Sequence, residues 1–127
     1  MAGEPDRADN VVVLHGIPNC DTVKRARSWL VANQVAYRFH DFKKDGVPAD
    51  LLANWMAELG WDKLLNRQGT TWRKLGDDIK SSISDAAAAA GLMQAHPSVI
   101  KRPVVRWHDG ECTVGFDSAA FARRIAA

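Results

Sequence analysis

The chain has 127 residues, of which 46% are hydrophobic, enough for one core with little left for a second. Its 17 basic and 15 acidic side chains leave a formal net charge of +2, too near balance to favour a nucleic-acid surface. No apolar run is long enough to cross a bilayer, and the first residues lack the pattern of a signal peptide. We therefore expect a cytoplasmic monomer that binds neither nucleic acid nor membrane.

The first ten residues are polar and contain Gly3 and Pro5, which predicts a disordered tail. Residues 11–14 form a short β-branched apolar run ended by Gly16 and Pro18, and such a run is typical of a strand buried on both faces. The segment that follows the strand is predicted to be a loop.

A helical pattern begins after this loop and should end near Asn33. Its apolar face consists of Val23, Ala26 and Leu30. Residues 37–41 then alternate apolar and polar side chains, which predicts a second strand. Together these elements indicate a βαβ unit with a parallel strand pair.

The middle of the chain, about residues 46–98, is predicted to be a helical segment broken by a loop. Apolar residues recur at helical spacing before a stop signal at Gly60, namely Leu51, Leu52, Trp55, Met56 and Leu59. Residues 66–73 are polar and fit neither periodicity, so we expect a loop there. Residues 84–90 have the cap and the alanine content of another helix.

The last third of the chain predicts a hairpin followed by a helix. Residues 104–107 and 111–114 flank an Asp109-Gly110 pair, the composition of a tight two-residue turn. Asp117 is a suitable cap for a final helix that runs through Phe121 and Ile125.

Cys20 lies where the first helix begins, and the unpaired N–H groups and dipole of a helix start favour a thiolate. Asp21 opposes this effect, whereas Lys24 and Arg25 support it, so the sequence does not give the sign of the pKa shift. Burial as a small apolar side chain is the alternative, but the polar neighbours favour a reactive thiol. For Cys112, in a predicted strand, burial is favoured.

Position 23, where a Cys-x-x-Cys pair would have its second sulfur, is Val23. A one-thiol mechanism is therefore predicted, with an outside thiol such as glutathione resolving the adduct on Cys20. Cys112 could replace the outside thiol only if the fold brought the two sulfurs together.

Other polar residues give weaker signals. Arg67 and Arg73 lie in the polar loop, either solvated or available to an oxyanion or carboxylate. Base rates favour a trans peptide bond before Pro103. His15 ends the first strand and could lie close to the thiol, but a structural role is favoured for a lone histidine there. The other histidines, His40, His96 and His108, show no metal-ligand spacing, so no metal site is expected.

Three segments resemble the arsenate reductase (ArsC) family, in particular its YffB-like branch, with Spx regulators as more distant relatives. They are residues 16–22 (GIPNCDT), 65–70 (LNRQGT) and 100–104 (IKRPV). The resemblance covers residues 11–125. It implies an α/β, thioredoxin-like domain over residues 11–127, with a four-stranded mixed sheet and a helical insertion between strands 2 and 3.

The resemblance also implies the site. Cys20 would be the nucleophile, Arg67 and Arg102 would hold an anion, and a cis Pro103 would pack beside the catalytic loop. The backbone of residues 19–22, with Asn19, Asp21 and Thr22, would cradle the bound group. The implied activity is that of a glutathione-dependent thiol-disulfide oxidoreductase. Glutathione would be its co-substrate, a small or protein disulfide its substrate, and no cofactor would be bound permanently.

The chain departs from the family pattern in four ways. Arsenate reductases of this type have a third arginine just after the fourth strand, where this chain has Gly115 and Phe116. Their histidine four residues before the cysteine is Gly16 here, and the glycine after the cysteine is Asp21. Val23 removes the two-cysteine switch of Spx. Two alternatives therefore remain: an Spx-like, non-enzymatic regulator that binds RNA polymerase, and, third, an arsenate reductase.

Overall fold

The structure, a computed structural model, describes residues 11–126, and the tail predicted for residues 1–10 lies outside them. The described chain divides into two compact units. The first, here called the sheet unit, contains the residues up to Asp41 and those from Arg102 onward; the second, the helical unit, is Phe42–Lys101. The prediction of one domain over residues 11–127 stays a prediction.

The sheet unit has four strands in the order β2-β1-β3-β4. β1 and β2 are parallel, whereas β3 runs antiparallel to both β1 and β4, so the sheet is mixed as predicted. Its elements are β1 (Val12–Gly16), α1 (Asp21–Ala32), β2 (Tyr37–Asp41), β3 (Val104–Arg106), β4 (Cys112–Val114) and, after the helices of the other unit, the last helix, α8 (Ser118–Ala126).

The core of the sheet unit lies between β1 and the two helices of that unit. The predicted apolar face of α1 is confirmed, since Val23, Ala26 and Leu30 are fully buried. Every residue of β1 is buried, and the strand has a neighbouring strand on each side. Phe121 of α8 packs edge-on against Trp107, with 4.8 Å between the ring centroids.

The turn between β3 and β4 is longer than the sequence predicted. Trp107 donates its N–H to the Glu111 carbonyl at 2.8 Å, and Gly110 donates to the Trp107 carbonyl at 2.9 Å. The turn therefore has three residues, His108 to Gly110, and the prediction of two is wrong. Gly110 has φ 90°, the left-handed conformation that closes a three-residue hairpin loop and that glycine adopts without strain.

The helical unit lies between strands 2 and 3 in the sequence, as predicted. Its elements are α2 (Phe42–Asp45), α3 (Ala49–Leu59), α4 (Trp61–Leu64), α5 (Thr70–Arg73), α6 (Asp77–Ser82), α7 (Ala86–Ala95) and a 3₁₀ turn (Pro97–Val99). α3 ends at Leu59, and Gly60, with φ 90°, is its C-cap residue. Phe42 packs on Trp55 in its core.

One prediction in this unit needs correction. The segment predicted as a loop, residues 66–73, contains α5, which is too short to show a helical period in the sequence. The alanine-rich helix predicted at residues 84–90 is present: Asp85 caps it by accepting the Ala88 N–H at 2.9 Å, and the helix runs from Ala86 to Ala95.

Candidate functional site

Cys20 is the N-cap residue of α1, with an extended backbone (φ −90°, ψ 127°). Its N–H donates to the Ile17 carbonyl at 3.2 Å, and its carbonyl accepts the Lys24 N–H at 2.9 Å. The sulfur is a free thiol on a half-buried residue, and the preceding Pro18 and Asn19 are exposed. The loop therefore presents Cys20 at the surface end of β1, where another molecule can reach it.

The surroundings of Cys20 favour its ionised form. Burial raises the pKa of the thiol, but hydrogen bonding from the Val23 backbone N–H, then from the Arg102 side chain, and the positive charge of Arg102 together lower it further than burial raises it. The Thr22 N–H adds to this lowering. The net pKa shift, whose sign the sequence left open, is downward.

Arg102 lies two residues before the start of β3, and its bond to Pro103 is cis, as the resemblance implied. The base-rate prediction of a trans bond is wrong. Pro103 is buried, and its carbonyl accepts the Gly115 N–H at 2.8 Å. Arg102 is half-buried and belongs to the same unit as Cys20. The structure thus brings together two of the predicted site residues, Cys20 and Arg102, that are 82 positions apart in the chain.

The loop residues predicted to cradle an anion lie around the start of α1. Asn19 and Asp21 are exposed, and Thr22 is half-buried. Asp21 is the first residue of the helix, so its carboxylate favours the helix start while opposing a bound anion. The anion-binding roles of these three residues and of Pro103 stay predictions.

Arg67 belongs to the helical unit, in the loop before α5. Its guanidinium forms an ion pair with Asp62 at 2.7 Å. The rings of Trp61 and Trp72 lie 5.7 and 5.9 Å from its guanidinium carbon. Arg73, at the end of α5, is exposed. The role of Arg67 at the site of Cys20 stays a prediction.

The second thiol is in a different environment. Cys112 lies in β4 with 9% of its surface exposed, in agreement with the predicted burial. Val23, at the place of a second redox cysteine, is fully buried. A β-carbon on Gly16 would come within 2.7 Å of Val23 Cγ2, so the glycine allows this close packing. The histidine that arsenate reductases have at position 16 would not fit beside Val23 without movement.

The position of the absent third arginine is apolar. Gly115 has φ 90°, and the Phe116 ring packs edge-on against Phe121 with 4.9 Å between centroids. Phe116 also lines a cavity of about 210 Å³, together with Trp107 and Arg124. Arg124 is engaged with Glu111 at 2.6 Å. These aromatic contacts were not predicted from the sequence, although the phenylalanine after the fourth strand was their signal.

His15 lies on β1, one residue before the glycine that leads into the Cys20 loop, and is 3% exposed. Its Nδ1 donates to the Val104 carbonyl at 2.7 Å. This agrees with the structural role that the sequence favoured.

Two further features concern metals and membranes. Among residues 11–126, no group of three or more His, Cys, Asp or Glu side chains is arranged to hold a metal ion. None of the helices in this part of the chain has both the length and the apolar character required to cross a bilayer.

Comparison with known proteins identifies relatives. A solved structure of a YffB protein is 48% identical in sequence, with a TM-score of 0.84, covering 90% of this chain and 98% of its own. The solution structure of an arsenate reductase (ArsC) related protein from Brucella melitensis is 45% identical, with a TM-score of 0.72, over 92% and 96% of the two chains. The global transcriptional regulator Spx from Streptococcus pyogenes is 28% identical over 98 residues, 75% of this chain and 71% of Spx.

The ArsC family profile matches residues 15–123, which include both Cys20 and Arg102. The fold of the sheet unit, the thiol at the start of α1 and the solved relatives agree with this match. The chain therefore belongs to the ArsC family, is arsenate reductase-like and Spx-related, and has that family's thioredoxin-like α/β fold.

Proposed function

We propose that the chain is a glutathione-dependent thiol-disulfide oxidoreductase of the cytoplasm that uses Cys20 as its nucleophile. One observation carries this proposal: a half-buried, reachable thiol has a lowered pKa because Arg102 and two backbone N–H groups are directed at it. The thiolate is the nucleophile in disulfide exchange, so lowering the pKa raises the reactive fraction at neutral pH.

The reaction has two exchange steps. In the first, the Cys20 thiolate attacks the glutathione sulfur of a mixed disulfide between glutathione and a small or protein thiol. The substrate S–S bond breaks, the substrate leaves as a thiolate that takes a proton from water, and Cys20 carries glutathione. In the second, the thiolate of a second glutathione attacks that adduct, which releases oxidised glutathione and restores the Cys20 thiolate. Glutathione is thus the reductant, and no permanently bound cofactor takes part.

The surroundings of Cys20 support an outside thiol as the resolving group. Val23 occupies the place of a second redox cysteine, and Cys112 is buried in β4. Glutathione carries two carboxylates, and guanidinium groups bind carboxylates in a planar, charge-assisted geometry. Arg102 in the sheet unit and Arg67 in the helical unit are the proposed binding partners for these groups, with Asn19, Asp21, Thr22 and Pro103 around the thiol.

A Cys20→Ser variant tests the proposal, with Cys112→Ser as the matched control. Serine removes the thiolate, so reduction of a glutathione mixed disulfide should fall at least 100-fold, on the scale of losing an essential nucleophile. Cys112→Ser should retain most of the activity if it remains folded by circular dichroism. A Cys20→Ser protein with undiminished turnover in a glutathione-coupled assay would refute the proposal.

A second candidate is a non-enzymatic regulator that binds RNA polymerase, supported by the 28% identity to Spx. It would need no thiolate chemistry, so Cys20→Ser should still capture RNA polymerase from a cell extract as well as the wild type does. Failure of both proteins to retain the polymerase would exclude this candidate.

Arsenate reduction is the third candidate, supported by the likeness to an arsenate reductase related protein. Phe116 and Gly115 replace the third arginine of the oxyanion site, which argues against it. Arsenate-dependent oxidation of glutathione by the wild-type protein would establish this activity.

A further inference from the structure

His15 is a buried polar residue that the proposed reaction does not use. Because a carbonyl oxygen only accepts hydrogen bonds, the 2.7 Å contact with Val104 requires the proton on Nδ1 of the ring. The bond joins residues 89 positions apart, between β1 and β3. It is therefore a specific link between two strands and not a local turn.

The position of this link matters more than its strength. His15 and Val104 form the last pair of the β1–β3 ladder. Beyond this pair β1 and β3 are no longer paired with each other: β1 continues through Gly16, which still pairs with Asp41 of β2, towards Cys20, and β3 is preceded by Arg102 and the cis Pro103. The end of a ladder is where strands separate most easily. The buried hydrogen bond at this place restricts the two segments next to the thiol, one leading from His15 to Cys20 and the other from Val104 back to Arg102.

We propose that His15 is a positioning residue, which by bonding the Val104 carbonyl holds the Arg102 segment against the loop that carries Cys20. This inference rests on the proposed function in one respect, since it assumes that Cys20 works as a thiolate supported by Arg102. It assigns to His15 no contact with substrate.

The electrostatic surroundings of His15 support a constant, neutral donor. Burial lowers the pKa of His15 to about 4, although the hydrogen bond to Val104 acts in the opposite direction. The charges of His40, whose ring centroid lies 5.2 Å away on the neighbouring strand, and of Arg106 and Arg38 lower the pKa of His15 further. At neutral pH the ring therefore keeps one proton, and Nδ1 keeps its bond.

Two isosteric substitutions separate positioning from packing. In His15→Asn the amide nitrogen takes nearly the place of Nδ1 and can donate to Val104. In His15→Leu a methyl group of the same size takes that place and cannot. The measured quantity is the pKa of Cys20, obtained from the pH dependence of alkylation by iodoacetamide, with mass spectrometry counting the label on Cys20 alone. Thermal unfolding of each variant reports the stability separately.

We expect His15→Leu to raise the Cys20 pKa by about one unit, which lowers the thiolate fraction about tenfold at a pH where the thiol is mostly protonated. In His15→Asn the Cys20 pKa should remain within a few tenths of a unit of the wild-type value. Equal Cys20 pKa values in the wild type and both folded variants would overturn the positioning role while leaving the proposed function intact. A wild-type Cys20 pKa no lower than that of free cysteine would instead count against the proposed function.

A measurement on the wild type covers the case in which a variant does not fold. Long-range ¹H–¹⁵N correlation spectra distinguish the two neutral tautomers of each histidine ring. We expect His15 to carry its proton on Nδ1 at neutral pH. A proton on Nε2 would remove the donor on which the inference depends and would overturn it.

Discussion

Cys20 and Arg67, both predicted for the site, have very different surroundings. Cys20 lies where a fully buried strand meets a 12-residue helix, and the groups that lower its pKa, Val23, Arg102 and Thr22, belong to its own unit. Arg67 lies between two four-residue helices, with 44% of its side chain exposed and an ion pair to an exposed Asp62. The named groups that lower the pKa of Cys20 thus all belong to the sheet unit. In the proposed function, Arg67 takes part in substrate binding and not in lowering this pKa.

The largest expected effect is the change with pH in the free energy of unfolding that is caused by the buried His15. His15 has a pKa of about 4 when folded and about 6.5 when unfolded, because burial disfavours its charged form. The unfolded chain therefore binds more protons between these values, so this contribution is fully present above about pH 6.5 and is lost as the pH falls towards 4. The loss should be about 3 kcal/mol.

Urea unfolding at pH 7, 5.5 and 4.5 measures this change in the free energy of unfolding. His15→Asn is the matched control, because it keeps the donor but does not titrate, and the slope attributed to His15 should be absent from it. Identical pH dependence in both proteins would show that His15 is not held neutral by burial.

The next largest effect separates the role of Arg102 in lowering the Cys20 pKa from the proposed role of Arg67 in substrate binding. Arg102→Met removes the guanidinium beside the sulfur, so the Cys20 pKa should rise by about one unit and alkylation at neutral pH should slow about tenfold. Arg67→Gln should leave the Cys20 pKa near the wild-type value and raise the KM for a glutathione mixed disulfide.

The same alkylation and steady-state assays measure both variants. If Arg67→Gln shifted the Cys20 pKa as much as Arg102→Met does, the division between activation and substrate selection would be wrong.

The smallest expected effect concerns the Asp62–Arg67 pair. Because both side chains are well exposed, Asp62→Asn should change the free energy of unfolding by less than about 1 kcal/mol. Freed from this carboxylate, Arg67 should bind the substrate's anionic group better and lower the KM about twofold to threefold. The Arg67→Gln/Asp62→Asn double variant is the control, and in it this gain should disappear. A KM in Asp62→Asn equal to that of the wild type would argue against a substrate role for Arg67.

Local patterns in the sequence predicted much of the fold. β2 begins and ends where the alternation of residues 37–41 does, and the buried face of α1 follows from three apolar positions at helical spacing. Helix α5 and the three-residue turn could not be predicted in this way. A single helical turn has no visible period, and turn length depends on how β3 and β4 pair.

The position of Cys20 at a helix start could be predicted from the sequence, but the direction of its pKa shift could not. The sign of its pKa shift depended on Arg102, and no local pattern shows that a residue so distant in sequence donates to the sulfur. The Nδ1 bond of His15 was hidden for the same reason, since its partner is a backbone carbonyl on another strand.

The close approach of Gly16 to Val23 limits which substitutions these two positions can accept in evolution. A β-carbon at position 16 would lie 2.7 Å from Val23 Cγ2, so a larger side chain at one of these positions requires a smaller one at the other. We expect the two positions to covary. A cysteine at position 23 is smaller by one methyl group and would relieve part of this crowding. A cysteine at position 23 and a side chain at position 16 would therefore be coupled substitutions. They would be tolerated more easily if the cysteine came first.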